Sequence, residues 1–126
     1  MNPSHQWKDL LVAAVDGISY QAKWIIGLGY SQFIDHILCV GGATNSPGWM
    51  QRKANALGLK VQVPELEEGT LYGAVKLMAD RMGDAVSFGK NRIRQIYLPD
   101  NKVTKCFDEI YHHQFLPMAQ ILCGRR

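Results

Sequence analysis

The chain has 126 residues, 47% hydrophobic and 20% charged, with a net charge of +3. That is the size and balance of one globular domain over residues 1–126 with room for a core, and the charge is too mild and scattered to point to nucleic acid. No apolar run approaches the roughly 18–20 residues that span a membrane, and MNPSHQWKDLL has no basic region leading into an apolar one, so the expectation is a cytoplasmic protein without a membrane partner.

Ser4 can cap a helix. Behind it Trp7, Leu10, Leu11, Ala14, Val15, Ile18, Ala22, Ile25 and Ile26 recur at helical spacing, which predicts a long amphipathic helix over about 5–28. Gly17 lies inside that helix at some cost in propensity and suggests the close approach of a neighbouring element. HILCV, 36–40, is apolar on both faces and reads as a short strand buried on both sides. After Gly41 and Gly42, Ser46 can serve as N-cap, Pro47 as first helical residue and Gly58 as the residue just past the helix end. Met50, Ala54 and Leu57 line the inner face of that helix, and KVQVP, 60–64, reads as a second strand. Residues 36–64 therefore predict a parallel β-loop-α-β unit with a right-handed crossover. A third helix is expected over 69–82, with Leu71, Val75, Met78 and Met82 as its core face and Gly69, Gly73 and Ala74 as a smooth side. Residues 83–103 read as irregular, with a short extended piece at IRQIYLP. From about 103, Val103, Phe107, Ile110, Tyr111, Phe115 and Met118 follow helical spacing, and Pro117 should kink or interrupt that helix.

Cys39, Cys106 and Cys123 are odd in number and far apart, which argues against a disulfide framework or a zinc knuckle. Cys39 reads as core, and Cys106 with His112 and His113 reads as an exposed helix face rather than a metal site. GGATNS, 41–46, is more suggestive. A strand that enters a helix through glycines leaves backbone N–H groups free, and bare backbone admits a flat ring or a phosphate to van der Waals distance. The segment is neither a Walker A loop nor the G-x-G-x-x-G fingerprint, so spacing alone leaves a structural turn and a ligand contact both open.

The longer stretch ILCVGGATNSPGWMQRKANALGLKVQVPELEEGTLYGAVKLMA resembles the carboxy-terminal part of carbohydrate kinases of the FGGY family, which includes xylulokinases, gluconokinases and glycerol kinases. The matching residues are Gly41, Gly42, Ala43, Ser46, Trp49, Gln51, Ala54, Gly58, Glu68, Gly73 and Ala74. LLVAAVDGISYQAKWII is similar to the family's upstream helix, and YLPDNKVTKCFDEIYHHQFLPM to its closing segment. Asn55 stands where the family usually has Asp, Asp16 where Glu is usual, and Val75 replaces the second Ala of Gly-Ala-Ala. The family's upstream Arg is absent, since Val12 or Ala13 falls there.

The resemblance implies a partial actin-like domain of the ribonuclease H type and a place beside ATP or ADP. Gly41, Gly42 and Ala43 would then lie against the adenosine, Ser46 near the adenine, and Gln51 and the helix of Gly73 would support that wall. The family reaction is phosphoryl transfer from ATP to a sugar hydroxyl, with Mg²⁺ in the full-length kinase and a carboxylate base. The phosphate loop, the sugar-binding domain and the catalytic Asp have no counterpart in these 126 residues, so no catalytic or metal-binding residue is assigned. VDGIS, 15–19, imitates part of a phosphate loop but sits within the helical pattern, which makes Asp16 a helix residue and not a base. The expectation is a fragment of a sugar kinase, inactive alone, with nucleotide affinity weak or lost. A non-catalytic oligomerisation or interaction module that has lost nucleotide binding is the alternative. An enzyme of another kind using His112, His113 and Asp108 is disfavoured because no nucleophile–base spacing supports it. An incomplete sheet leaves an edge and an apolar face bare, so a homodimer is expected.

Overall fold

The computed structural model describes residues 6–29, 31–66, 68–83 and 92–124. In chain order these form α1 (Trp7–Gly27), β1 (His36–Leu38), α2 (Pro47–Leu57), β2 (Lys60–Pro64), α3 (Gly69–Met82), β3 (Ile93–Tyr97), α4 (Asn101–Ile110) and α5 (Leu116–Cys123). The cap expected at Ser4 lies outside the described residues. Gln6 precedes α1, and its backbone N–H donates to Asp9 Oδ2 at 2.8 Å.

The parallel unit forms as the sequence implies. His36, Ile37 and Leu38 pair in parallel with Lys60, Val61 and Gln62. Helix α2 starts at Pro47 behind Ser46, whose Oγ accepts from Trp49 N. It ends at Gly58, which has φ +67°, a left-handed conformation that disfavours any residue with a Cβ. VDGIS lies within α1, as the helical spacing requires.

Four expectations need correction. First, among the described residues the sheet is three-stranded and mixed: β3 pairs antiparallel with β2, Val61 opposite Tyr97 and Val63 opposite Gln95, with an irregularity at Val63–Pro64. IRQIYLP supplies this strand. Its side chains are exposed at four of five positions, so no alternation of apolar and polar residues advertised it. The rest of the region read as irregular lies largely outside the described residues. Second, β1 is an edge strand and is not buried on both faces: His36 and Leu38 are exposed and Ile37 half-buried. Third, α3 carries its apolar stripe on the outside: Leu71, Val75, Met78 and Met82 are all exposed, and Ala79 alone of that helix is buried. Fourth, a Cβ placed on Gly17 meets nothing within 4 Å, so no element crowds it. The glycine that does mark a close approach is Gly69, where a Cβ would lie 2.8 Å from Val40.

Helix α2 is the centre of the packing. Its Met50 and Ala54 meet Val61, Val63 and Tyr97 of the sheet, with Cys39, Ala43 and Trp49 against them. Its Ala56 meets Tyr20 of α1 with Phe107 and Tyr111 of the carboxy-terminal helices. Met50 and Val61 are wholly buried, and each such side chain contributes about 1.5–3 kcal/mol. Polar ties fix the helices on α2. Arg52 Nε and Nη2 donate to the two carboxylate oxygens of Asp16 at 2.8 and 2.6 Å, and Lys23 Nζ donates to Ala56 O at 2.8 Å and pairs with Asp108. Buried Asn55 accepts through Oδ1 from Gln51 Nε2 at 3.1 Å and from the Asp100 backbone N–H at 2.9 Å.

The final helical stretch begins at Asn101, two residues before the expected start, because the Asp100 carboxylate accepts from Lys102 N and Val103 N. Pro117 interrupts it as expected. Proline lacks the N–H of the regular ladder and its ring crowds the carbonyl four residues back. The chain widens into a π-helical turn over Tyr111–Phe115 and resumes as α5 with Pro117 in its first turn.

Candidate functional site

The glycines sit where the carboxyl end of the parallel pair opens. Pairing carries on past β1 as Cys39 N donates to Gln62 O at 2.9 Å. The chain then turns through Gly41, at φ +90°, into a 3₁₀ turn over Gly42–Asn45. Gly41 O accepts from both Thr44 N, at 3.0 Å, and Thr44 Oγ1, at 2.8 Å, which pins the turn. Ser46 N then donates to Ala43 O at 3.1 Å and α2 begins. Ligands of open α/β sheets bind at this end of the strands.

A cavity of about 140 Å³ lies here. Gly41, Gly42, Thr44 and Asn45 form one side. Pro64, Leu66 and Glu68, from the connection between β2 and α3, form another, and Arg94 enters from β3. The close approach of Gly69 to Val40 seats the start of α3, and with it Glu68, beside the glycine turn. A Cβ added at Gly41 or at Gly42 meets nothing within 4 Å, so open space stands where side chains would be. The residues present therefore fit a flat or phosphate-bearing group laid against bare backbone.

The six residues singled out from the sequence do not all meet there. Gly41 and Gly42 line the cavity. Ala43 is half-buried and packs against the sheet-side core. Ser46 caps α2 and borders a different groove, with Leu11, Val15 and Trp49. Gln51 is a tie in the frame, donating to Asn55 Oδ1 and, at 2.8 Å, to Leu98 O. Gly73 lies exposed on α3 with open space at its Cβ position. Thr44, Asn45, Pro64, Leu66 and Arg94 line the cavity without having been singled out. Glu68 figures in the sequence only as one residue of the family resemblance. The spacing from Glu68 to Gly73 and Ala74 fits the family pattern but gives Glu68 no role, and Arg94 reaches the cavity only because β3 pairs with β2.

Elsewhere, the half-buried Cys39 thiol is pushed up by burial, with the charge of Lys53 opposing the shift. Asp16 is committed to Arg52. His112, His113 and Cys106 are exposed on the carboxy-terminal helices, and among the described residues no group of three or more His, Cys, Asp or Glu side chains could hold a metal ion. Among the described residues no helix is long and apolar enough to cross a membrane.

This α/β body, with its glycine turn at the open end of a parallel pair, has the fold of part of an actin-like sugar kinase. The xylulose kinase of Rhodospirillum rubrum matches 100% of the chain with a TM-score of 0.74 at 20% identity. A ligand-bound xylulose kinase from Lactobacillus acidophilus matches 99% with a TM-score of 0.74 at 14% identity. The chain belongs to the FGGY family of carbohydrate kinases, whose C-terminal-domain profile matches residues 1–80. A probable L-xylulose kinase of Haemophilus influenzae is 35% identical over 74 residues, and an L-xylulose/3-keto-L-gulonate kinase of Escherichia coli is 33% identical over 88. The chain spans 15% and 17% of those two relatives, and 27% and 26% of the two structures.

Proposed function

We propose that this chain forms the adenosine-facing wall of an ATP-dependent carbohydrate kinase, which transfers a phosphoryl group from ATP to a sugar hydroxyl. The observation that carries the reading is the cavity at the glycine turn, where Gly41 and Gly42 leave backbone open at the carboxyl end of the strands. The relatives named for xylulose kinases extend the reading to a ketose or related sugar as acceptor. On this reading the phosphate loop and the carboxylate base lie in the part of the kinase that the chain does not span, and the chain alone does not catalyse. Bound ATP, with Mg²⁺, supplies the transferable phosphoryl group. The residues of this chain bind and orient the nucleoside end: the glycines by close approach, and Gln51 and Asn55 by fixing α2 to the loop before α4.

Titration of the isotopically labelled protein with ADP and Mg²⁺, followed by backbone amide resonances, tests this. Saturable shifts are expected at Gly41, Gly42 and Thr44. Unchanged resonances up to millimolar ADP would overturn the reading.

A second proposal rests on the outer face of α3. Leu71, Met78 and Met82 are more than half exposed, and among the described residues β1 forms an edge of the sheet. We propose that a second copy of the chain covers this surface when the chain is alone. Light scattering should give a dimer, and a monomer across a wide concentration range would sink the proposal.

A further inference from the structure

The glycine cavity holds two charged side chains of opposite sign, and neither forms a hydrogen bond or an ion pair with a described residue. Glu68 stands at the N-cap position of α3 yet caps nothing with its side chain. Arg94 projects from β3, the strand whose pairing brings it there. The Gly69–Val40 contact holds Glu68 in register with Gly41. An ionised carboxylate only accepts hydrogen bonds, so Glu68 repels phosphate and suits a pair of hydroxyl donors. Vicinal hydroxyls of a ribose are such a pair, and acidic side chains elsewhere read ribose in this manner.

Resting on the nucleotide reading above, we propose that Glu68 recognises the ribose hydroxyls of the nucleotide, with Arg94 offsetting the carboxylate's charge against the anionic ligand. The site thereby selects ribonucleotides over 2′-deoxyribonucleotides. Glu68 acts on binding and orientation and takes no part in the phosphoryl step.

The test compares ADP with 2′-deoxy-ADP on the intact chain, using amide shifts to obtain both dissociation constants. ADP should bind about tenfold more tightly or better, the scale of a hydrogen bond to a charged group. Glu68→Ala should weaken ADP more than 2′-deoxy-ADP, which keeps its 3′-hydroxyl, and so erase the difference between the two. Glu68 is exposed and its side chain holds nothing in place, so this variant should fold, which circular dichroism checks. Arg94→Gln should weaken both nucleotides. Equal binding of ADP and 2′-deoxy-ADP by the native chain would overturn this inference and leave the adenosine wall standing. A Glu68→Ala variant that changes both affinities alike would also overturn it. Saturation by neither nucleotide would overturn both readings.

Discussion

Replacing Gly69 with alanine asks how firmly α3 is seated against the glycine turn. The added Cβ would stand 2.8 Å from both Cβ and Cγ2 of Val40 and 2.9 Å from its Cγ1. Carbon atoms pack best at about 3.5–4.0 Å, so the contact must open by roughly 0.7 Å. Rotation of the Val40 side chain moves its methyls but not its Cβ, so the backbone itself must give. Overpacking of this kind costs about 1–3 kcal/mol. Against that, alanine gains up to about 1 kcal/mol over glycine inside a helix, and less in the first turn. A net loss of about 1–2 kcal/mol is expected, read as a lower urea midpoint with an unchanged slope. The amides of Gly41 and Glu68 should shift in the same variant. A double-mutant cycle locates the cause. Val40→Gly removes all three contacting atoms and should restore Gly69→Ala, whereas Val40→Ala keeps the Cβ and should restore it only in part. The reasoning is refuted if Gly69→Ala matches the native chain in stability with those amides unmoved, or if Val40→Ala rescues as fully as Val40→Gly.

Tyr20→Phe removes a buried hydroxyl with no hydrogen-bond partner among the described residues, so stability at neutral pH should be unchanged or higher by about 1 kcal/mol, measured by urea unfolding. The Tyr20 phenol is pushed up to about 12 from an ordinary 10.0, chiefly by burial, with Asp16 adding to the shift and Arg52 opposing it. The folded chain thus keeps this proton where the unfolded chain has lost it, so stability is intact below about pH 10 and falls as pH rises toward about 12. Tyr111 is raised by burial too and acts in the same direction, so Tyr20→Phe should flatten the alkaline slope rather than abolish it. Asn55→Ala takes the acceptor from Gln51 Nε2 and from the buried side of Asp100 N, and should cost about 1–3 kcal/mol with faster exchange of the Asp100 amide. Asp100→Ala removes the cap that starts α4 and should cost about 0.5–2 kcal/mol, visible as a lower thermal midpoint.

The elements written in local chemistry were legible in the sequence. Ser46, Pro47 and Gly58 bound α2 because capping and left-handed backbone are short-range requirements. Met50 and Ala54 face inward because a helix repeats every 3.6 residues. The same short-range signals set the glycine turn at the end of β1. Periodicity marks which residues share a face, however, and cannot say whether anything covers it. Leu71, Val75, Met78 and Met82 share a face of α3 as expected, and the described residues leave it in solvent. Strand β3 was half-seen because its pairing with β2 is a long-range event with no local pattern. The candidate site divides along the same line. The turn at Gly41 and Gly42 was legible in the sequence, although spacing left open whether it serves as a structural turn or as a ligand contact. Glu68 appeared in the sequence only as a residue of the family resemblance, and its meeting with Arg94 at one cavity did not appear there, because that depends on Gly69 fitting under Val40 and on β3 joining the sheet, and both are decided only when the chain is folded.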